Sequence, residues 1–162
     1  MAIERLTADL TMGQETLAEC LNDDTKALLL LHWSEIAPHQ DLPLDPDYDA
    51  YARLEQAGCL RCYVLREQGI AVGYAVFLVM RNMKYQTSIH ATADLLFLLP
   101  RMRKQLYGAR FLSWCDDQLR AEGVVIVRHC VERTYEYGPV LERLGYEQEQ
   151  VIYAKRLEPA HG

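Results

Sequence analysis

Residues Arg101–Arg110 (RMRKQLYGAR) hold four of the chain's 17 basic side chains and none of its 23 acidic ones. The remaining 152 residues carry 13 basic against 23 acidic groups, a balance of -10, while this decapeptide carries +4 in a chain of net charge -6. A cationic turn in an acidic chain invites an anion. Where such a turn joins a strand end to a helix start, unpaired N–H groups and the positive end of the helix dipole add to that preference, which points to a phosphate-bearing ligand. A solvated basic turn would have the same composition. A second candidate is the row Ser88, His90, Thr92 and Asp94, interleaved with Ile89, Ala91, Ala93 and Leu95. Strand alternation puts the four polar residues on one face. Asp94 is the first candidate for a general base or the anchor of a water relay, and His90, whose ordinary pKa lies near neutrality, is the second. A solvent-facing strand face would alternate in the same way.

Other chemistry-bearing residues read as structural. Cys59-Leu-Arg-Cys62 matches C-x-x-C but lacks the second pair or spaced histidines of a zinc site, so no metal is expected. His32, with Glu35 just short of a helical turn away, reads as a satisfied histidine rather than a cleft residue. Asp41, Asp45, Asp47, Asp49 and Glu55 outnumber Arg53 across residues 41–55 and would favour a cationic ligand if they overhang a site.

The elements that must position these residues follow from periodicity. Gln14–Leu21 and Thr25–Ala37 carry apolar residues at helical spacing. Asp45-Pro46-Asp47 predicts a cap and a helix from Pro46 to Ala57, stopped by Gly58. Leu60–Glu67 and Ile70–Met80 read as strands joined at Gln68-Gly69. Ser88–Leu99 is a strand ended by Pro100. Gly108–Ala121 is a helix with the stripe Phe111, Leu112, Cys115 and Leu119, and Val124–Val131 is a strand. Gly138–Leu144 is a short helix and Tyr146–Leu157 a closing strand. The order implies an α/β (α+β) single domain over 1–162, core 3–157, with a βαβ unit at about 88–131. Half the residues are hydrophobic, which suits one substantial core, and the longest apolar run, Ile70–Met80, is 11 residues, so no membrane span is expected. The first residues show no secretory pattern, and five cysteines are expected to be reduced thiols in a cytoplasm. Overall acidity argues against direct nucleic-acid binding.

The segment Leu96–Leu112 resembles the acetyl-CoA-binding motif of the GCN5-related N-acetyltransferase (GNAT) family, in which an apolar strand ending near a proline precedes Arg/Gln-x-x-Gly-x-Gly/Ala and a helix. Arg103 takes the first motif position and Gly108 the last, while Leu106 stands where the middle glycine usually is. Gly138–Tyr146 is similar to the family's segment ending Leu-Tyr-Glu-Lys-Leu-Gly-Phe, with Leu141 in place of its tyrosine. Leu31–Glu35 and Leu42–Asp47 resemble a subgroup often encoded by bacteriophages and prophages, which would place the protein in a host cytoplasm.

The resemblance implies a central mixed, mostly antiparallel sheet with helices on both faces. It implies transfer of an acetyl group from acetyl-CoA to a primary amine, on a small molecule or a protein, by direct attack in a ternary complex. On that reading Phe97, Leu98 and Leu99 hold the thioester and pantetheine through their backbone. Arg103, Lys104, Gln105, Leu106, Tyr107, Gly108 and Ala109 surround the pyrophosphate. Asp94 is the carboxylate the family often keeps on this strand, and Tyr137, with Tyr135 or solvent as alternatives, protonates the thiolate. A catalytically silent domain that binds CoA or a protein partner is the rival. The oligomeric state stays open, a homodimer included.

Overall fold

The computed structural model describes residues 3–104 and 106–157. Six strands form one sheet in chain order: β1 (Ile3–Arg5), β2 (Leu10–Glu15), β3 (Leu60–Glu67), β4 (Ile70–Arg81), β5 (Ile89–Leu98) and β6 (Val124–His129). Every neighbouring pair is antiparallel except β5 and β6, which are parallel and joined by helix α4 (Tyr107–Ala121), the expected βαβ crossover. The β3–β4 turn has positive φ at both Gln68 (51°) and Gly69 (85°), the backbone of a type I′ hairpin.

Helices cover both faces. On one lie α1 (Leu17–Cys20), α2 (Asp23–Ile36) and α3 (Tyr48–Gln56). Leu28 and Ile36 of α2 pack on Val64, Tyr74 and Phe97, while Leu17, Tyr51 and Leu54 pack around Leu60 and Cys62. On the opposite face the α4 stripe Phe111, Leu112, Cys115 and Leu119 is buried against Tyr63, Leu65, Ala75 and Phe77, and Leu141 of α5 (Gly138–Arg143) joins the same core. Among the described residues no helix is long and apolar enough to cross a membrane.

Three departures from the sequence reading have physical causes. Residues 10–15, partly assigned to a helix, form β2, because pairing with β3 from Leu10↔Glu67 to Glu15↔Cys62 buries Leu10 and Met12. The helix expected from Pro46 begins at Tyr48, because the Asp47 side chain, not Asp45, accepts from Ala50 N–H and caps it. The closing strand expected over Tyr146–Leu157 is absent. Residues 147–157 are exposed and tethered by the Arg128–Glu149 and Arg156–Asp41 ion pairs instead of a ladder.

Candidate functional site

The parallel pairing of β5 with β6 stops at Ala93↔His129, yet β5 continues to Leu98. Beyond Ala93 the two strands part and β5 presents an unpaired edge to the opening. A cleft of about 250 Å³ occupies this fork, lined among others by Asp94, His32, Trp33, Glu132, Tyr135 and Tyr137. Asp94 stands at its base for a specific reason. The β4–β5 register passes from Phe77↔Ala93 to Val76↔Leu95, leaving Asp94 as the extra residue of a β-bulge. The bulge breaks the alternation expected for this strand and turns an exposed carboxylate into the fork. Tyr51 of α3 donates its hydroxyl hydrogen bond to Asp94 Oδ2 at 2.5 Å, leaving the other carboxylate oxygen free for a ligand or water. Burial, with the Asp94 contact adding to it, pushes the Tyr51 pKa above the usual phenol range.

Tyr137 reaches the same cleft. Its hydroxyl is loosely held, 3.5 Å from both His129 Nδ1 and the Cys130 carbonyl, and its ring meets His129 edge-on. Burial raises the Tyr137 pKa, so it carries its proton at neutral pH. Burial likewise lowers the His129 pKa to about 4, and its Nε2 is enclosed without a partner. His32, read from sequence as a satisfied residue, lines the cleft and is also satisfied: Nδ1 lies 2.6 Å from the Tyr74 hydroxyl and the ring stacks on Phe97 at 4.9 Å. Its pKa is lowered to about 4, chiefly by burial.

The basic turn runs from the end of β5 into α4. Pro100–Arg103 form a 3-10 turn, and Leu106 caps α4 in the left-handed region (φ 65°, ψ 4°). A leucine there costs about 1–2 kcal/mol relative to a right-handed conformation, and it is the place where the resembling motif carries glycine. The first turn of α4 has no side-chain cap and no acidic residue. The N–H groups of Tyr107, Gly108 and Ala109 therefore point outward, since the first intrahelical bond is Arg110 N–H to Leu106 O. A Cβ added at Gly108 would make only an ordinary 3.8 Å contact with Leu98, so the glycine is not required by packing beneath it.

Two of the four cations are committed elsewhere. Arg101 pairs with Glu67 at 2.7 Å. Arg103 donates to the Leu98 carbonyl and to both Glu35 oxygens, with its guanidinium 4.3 Å from the Tyr135 ring centre. Arg103 thus clamps the turn to α2 and Tyr135. Lys104 and Arg110 have no carboxylate partner among the described residues. Gln105 lies outside the described residues.

Several expected roles shift. His90 is not brought into the cleft. It is buried at the hairpin end of β5 among Asn82, Ser88 and Arg128, about 13 Å along the strand from Asp94. The Leu99 N–H is spent on the Val72 carbonyl and so is not free for a ligand; the Leu98 carbonyl accepts from Arg103, which does not engage the Leu98 N–H, and the Phe97 side chain is buried. Leu141 faces the core rather than the cleft. Of the acids in residues 41–55, Asp47 is a cap, Glu55 accepts from Leu17 N–H and Asp41 pairs with Arg156, while Asp45 and Asp49 are exposed. Tyr51 escaped the sequence reading because only α3 packing against the sheet brings it 43 positions across to Asp94.

The six-stranded mixed sheet with helices on both faces matches the GNAT fold. Solved structures share it. An aminoglycoside acetyltransferase from an uncultured soil metagenomic sample, in complex with trehalose, superposes with a TM-score of 0.69 at 14% identity over 95% of this chain and 100% of that one. A protein described as a transcriptional regulator from Bacillus halodurans gives 0.72 at 14% identity over 91% and 99%. A predicted acetyltransferase with acetyl-CoA from Clostridium acetobutylicum gives 0.65 at 10% identity over 94% and 99%. No family model and no curated protein sequence matches the chain.

Proposed function

We propose that this protein is an acetyl-CoA-dependent N-acetyltransferase acting on a primary amine. One observation carries the reading: the first turn of α4 is uncapped, free of acids and reached through a left-handed Leu106 at the mouth of the β5–β6 fork. Those outward N–H groups, with Lys104 and Arg110, suit a pyrophosphate, and the unpaired edge of β5 beside them suits an extended amide-bearing arm such as pantetheine. The shared fold supports acyl transfer and the neighbour with acetyl-CoA supports the donor.

The chemistry needs a neutral amine and a proton for the departing thiolate. Asp94 takes the amine proton, directly or through one water, with the oxygen that Tyr51 leaves free. Nitrogen then bonds to the carbonyl carbon as the carbon–sulfur bond breaks. Tyr137, protonated at neutral pH, donates to the thiolate, whose own pKa near 8.5 makes it a fair leaving group. Positioning and main-chain donors supply most of the rest. A bacteriophage-type subgroup and a cytoplasmic site of action belong to this reading on sequence resemblance alone.

Thiol release from acetyl-CoA across a panel of amines tests it. Asp94→Asn should lower kcat at least tenfold, with acetyl-CoA binding intact. Unchanged kinetics would remove Asp94 from the mechanism. Acetyl-CoA binding with no turnover of any amine would favour the silent-domain rival.

A further inference from the structure

Next to the cleft lies a larger chamber of about 430 Å³, between α1–α3, the 37–47 loop and the face of β3 and β4. Its size is that of a small-molecule site. Leu29, Trp33, Pro38, Leu44 and Leu95 line both spaces, so the chamber opens off the fork rather than standing apart from it. Its walls are aromatic and aliphatic. Of its four lining tyrosines, Tyr74 and Tyr51 have their hydroxyls engaged, with His32 and Asp94, so both offer ring carbon to an occupant; Tyr63 packs into the α4-face core and Tyr48 is half-buried at the start of α3. The charged lining residues, Lys26 and Asp45, are exposed at the solvent edge.

We infer that the acceptor is a primary amine carried on an apolar body, aromatic or branched aliphatic, seated in this chamber with its nitrogen at Asp94. The inference rests on the acetyl-transfer reading and narrows its substrate class. Tyr51 joins the two halves, its ring in the chamber wall and its hydroxyl on the carboxylate that receives the ammonium group. A polycation such as a polyamine or aminoglycoside would have to shed water from several charges in a chamber whose lining carboxylate, Asp45, stands at the solvent edge. An arylalkyl chain loses only the water it is better without. This revises the broad cationic preference expected from the acids of residues 41–55: one positive charge is recognised, at one end of an apolar ligand.

The test compares 2-phenylethylamine, tryptamine and hexylamine with ethylamine, spermidine and kanamycin in thiol release with acetyl-CoA. Each buried methylene in such a pocket changes specificity by roughly tenfold or more, so kcat/KM for the first group should exceed that for ethylamine by at least that factor. Leu29→Trp, which fills the shared wall, should bring the 2-phenylethylamine to ethylamine ratio towards one. Trp33 supplies a readout independent of turnover. It is one of two tryptophans, and the other, Trp114, is buried in the α4 core, so 2-phenylethylamine should saturably change emission in the wild type and not in Trp33→Phe. Spermidine or kanamycin turned over as well as 2-phenylethylamine would overturn the inference and leave acetyl transfer standing. Failure of acetyl-CoA to bind would remove the underlying reading. If acetyl-CoA binds and no amine turns over, the Trp33 titration decides: saturation supports the chamber's ligand class and its absence refutes it.

Discussion

Helices α2 and α4 lie on opposite faces of one sheet and begin in opposite ways. At the start of α2, Asn22 and Thr25 exchange backbone and side-chain hydrogen bonds in a capping box, Asp23 and Asp24 sit in the first turn, and Asp24 also accepts from Ala71 N–H and Arg66. A side-chain cap, a reciprocal capping box and first-turn acids are all present. At the start of α4 the cap is a leucine in a strained conformation, no acid follows, and Lys104 and Arg110 flank the opening. The same chain that caps α1, α2 and α3 with Thr16, Asn22 and Asp47 leaves this 15-residue helix uncapped where the sheet forks. The difference separates a helix end that serves stability from one left open for a ligand.

Making α4 resemble α2 should break that difference most strongly. Ala109→Asp puts a carboxylate into the open first turn. It should weaken acetyl-CoA binding tenfold or more, while the melting temperature rises, since an acid in a helix's first turn is worth about 0.3–1 kcal/mol. Calorimetric titration and thermal unfolding on the same preparation check the opposed signs. A fall in both would mean that the turn is merely structural.

The far end of α2 gives a pH-dependent contrast. His32 there, and His129 at the end of β6, are held near pKa 4 by burial. The unfolded chain binds protons on these rings from about pH 6.5 downward, while the folded chain resists until about pH 4. Stability should therefore fall as the pH is lowered across that window, by at most about 1.4 kcal/mol per pH unit for each ring and less to the extent that solvent screens these half-buried side chains. Urea unfolding at pH 7 and pH 5 measures the slope, and His129→Gln should reduce it. An unchanged slope would show that His129 is protonated in the folded protein.

Smaller effects sharpen the comparison from the other side. Asn22→Ala removes the α2 cap and should cost about 1 kcal/mol of stability without changing acetyl-CoA affinity. Leu106→Gly relieves the left-handed strain, and because Leu106 is 66% exposed little packing is lost. It should raise stability by a fraction of the 1–2 kcal/mol strain, the rest being offset by glycine's freedom in the unfolded chain, and tighten acetyl-CoA binding modestly. Differential scanning fluorimetry with and without ligand reads both.

Much of this architecture is legible in residue patterns, and its limits are physical. The α4 stripe, the Gln68-Gly69 hairpin and the βαβ crossover follow from local periodicity and turn chemistry. The charge contrast at Arg101–Arg110 locates the turn, although pairing leaves fewer free cations there than composition suggests. Strand β2 was obscured because Gln14 and Glu15 run directly into α1, and only the ladder with β3 decides their conformation. The Asp94 bulge could not be read from β5, since a bulge is a mismatch between two strands and β5 alone alternates without fault. The same bulge explains why His90 and Asp94, two alternation steps apart, end in different surroundings. Leu99 looked available because nothing local shows that Val72 takes its N–H.

The central claim is that the open start of α4 and the fork beside it hold acetyl-CoA. Isothermal titration of acetyl-CoA into the wild-type chain and Ala109→Asp tests this most directly. The account predicts saturable one-to-one binding in the micromolar range for the wild type, weakened tenfold or more by the added carboxylate; no binding at high micromolar ligand, or equal binding by both proteins, would contradict it.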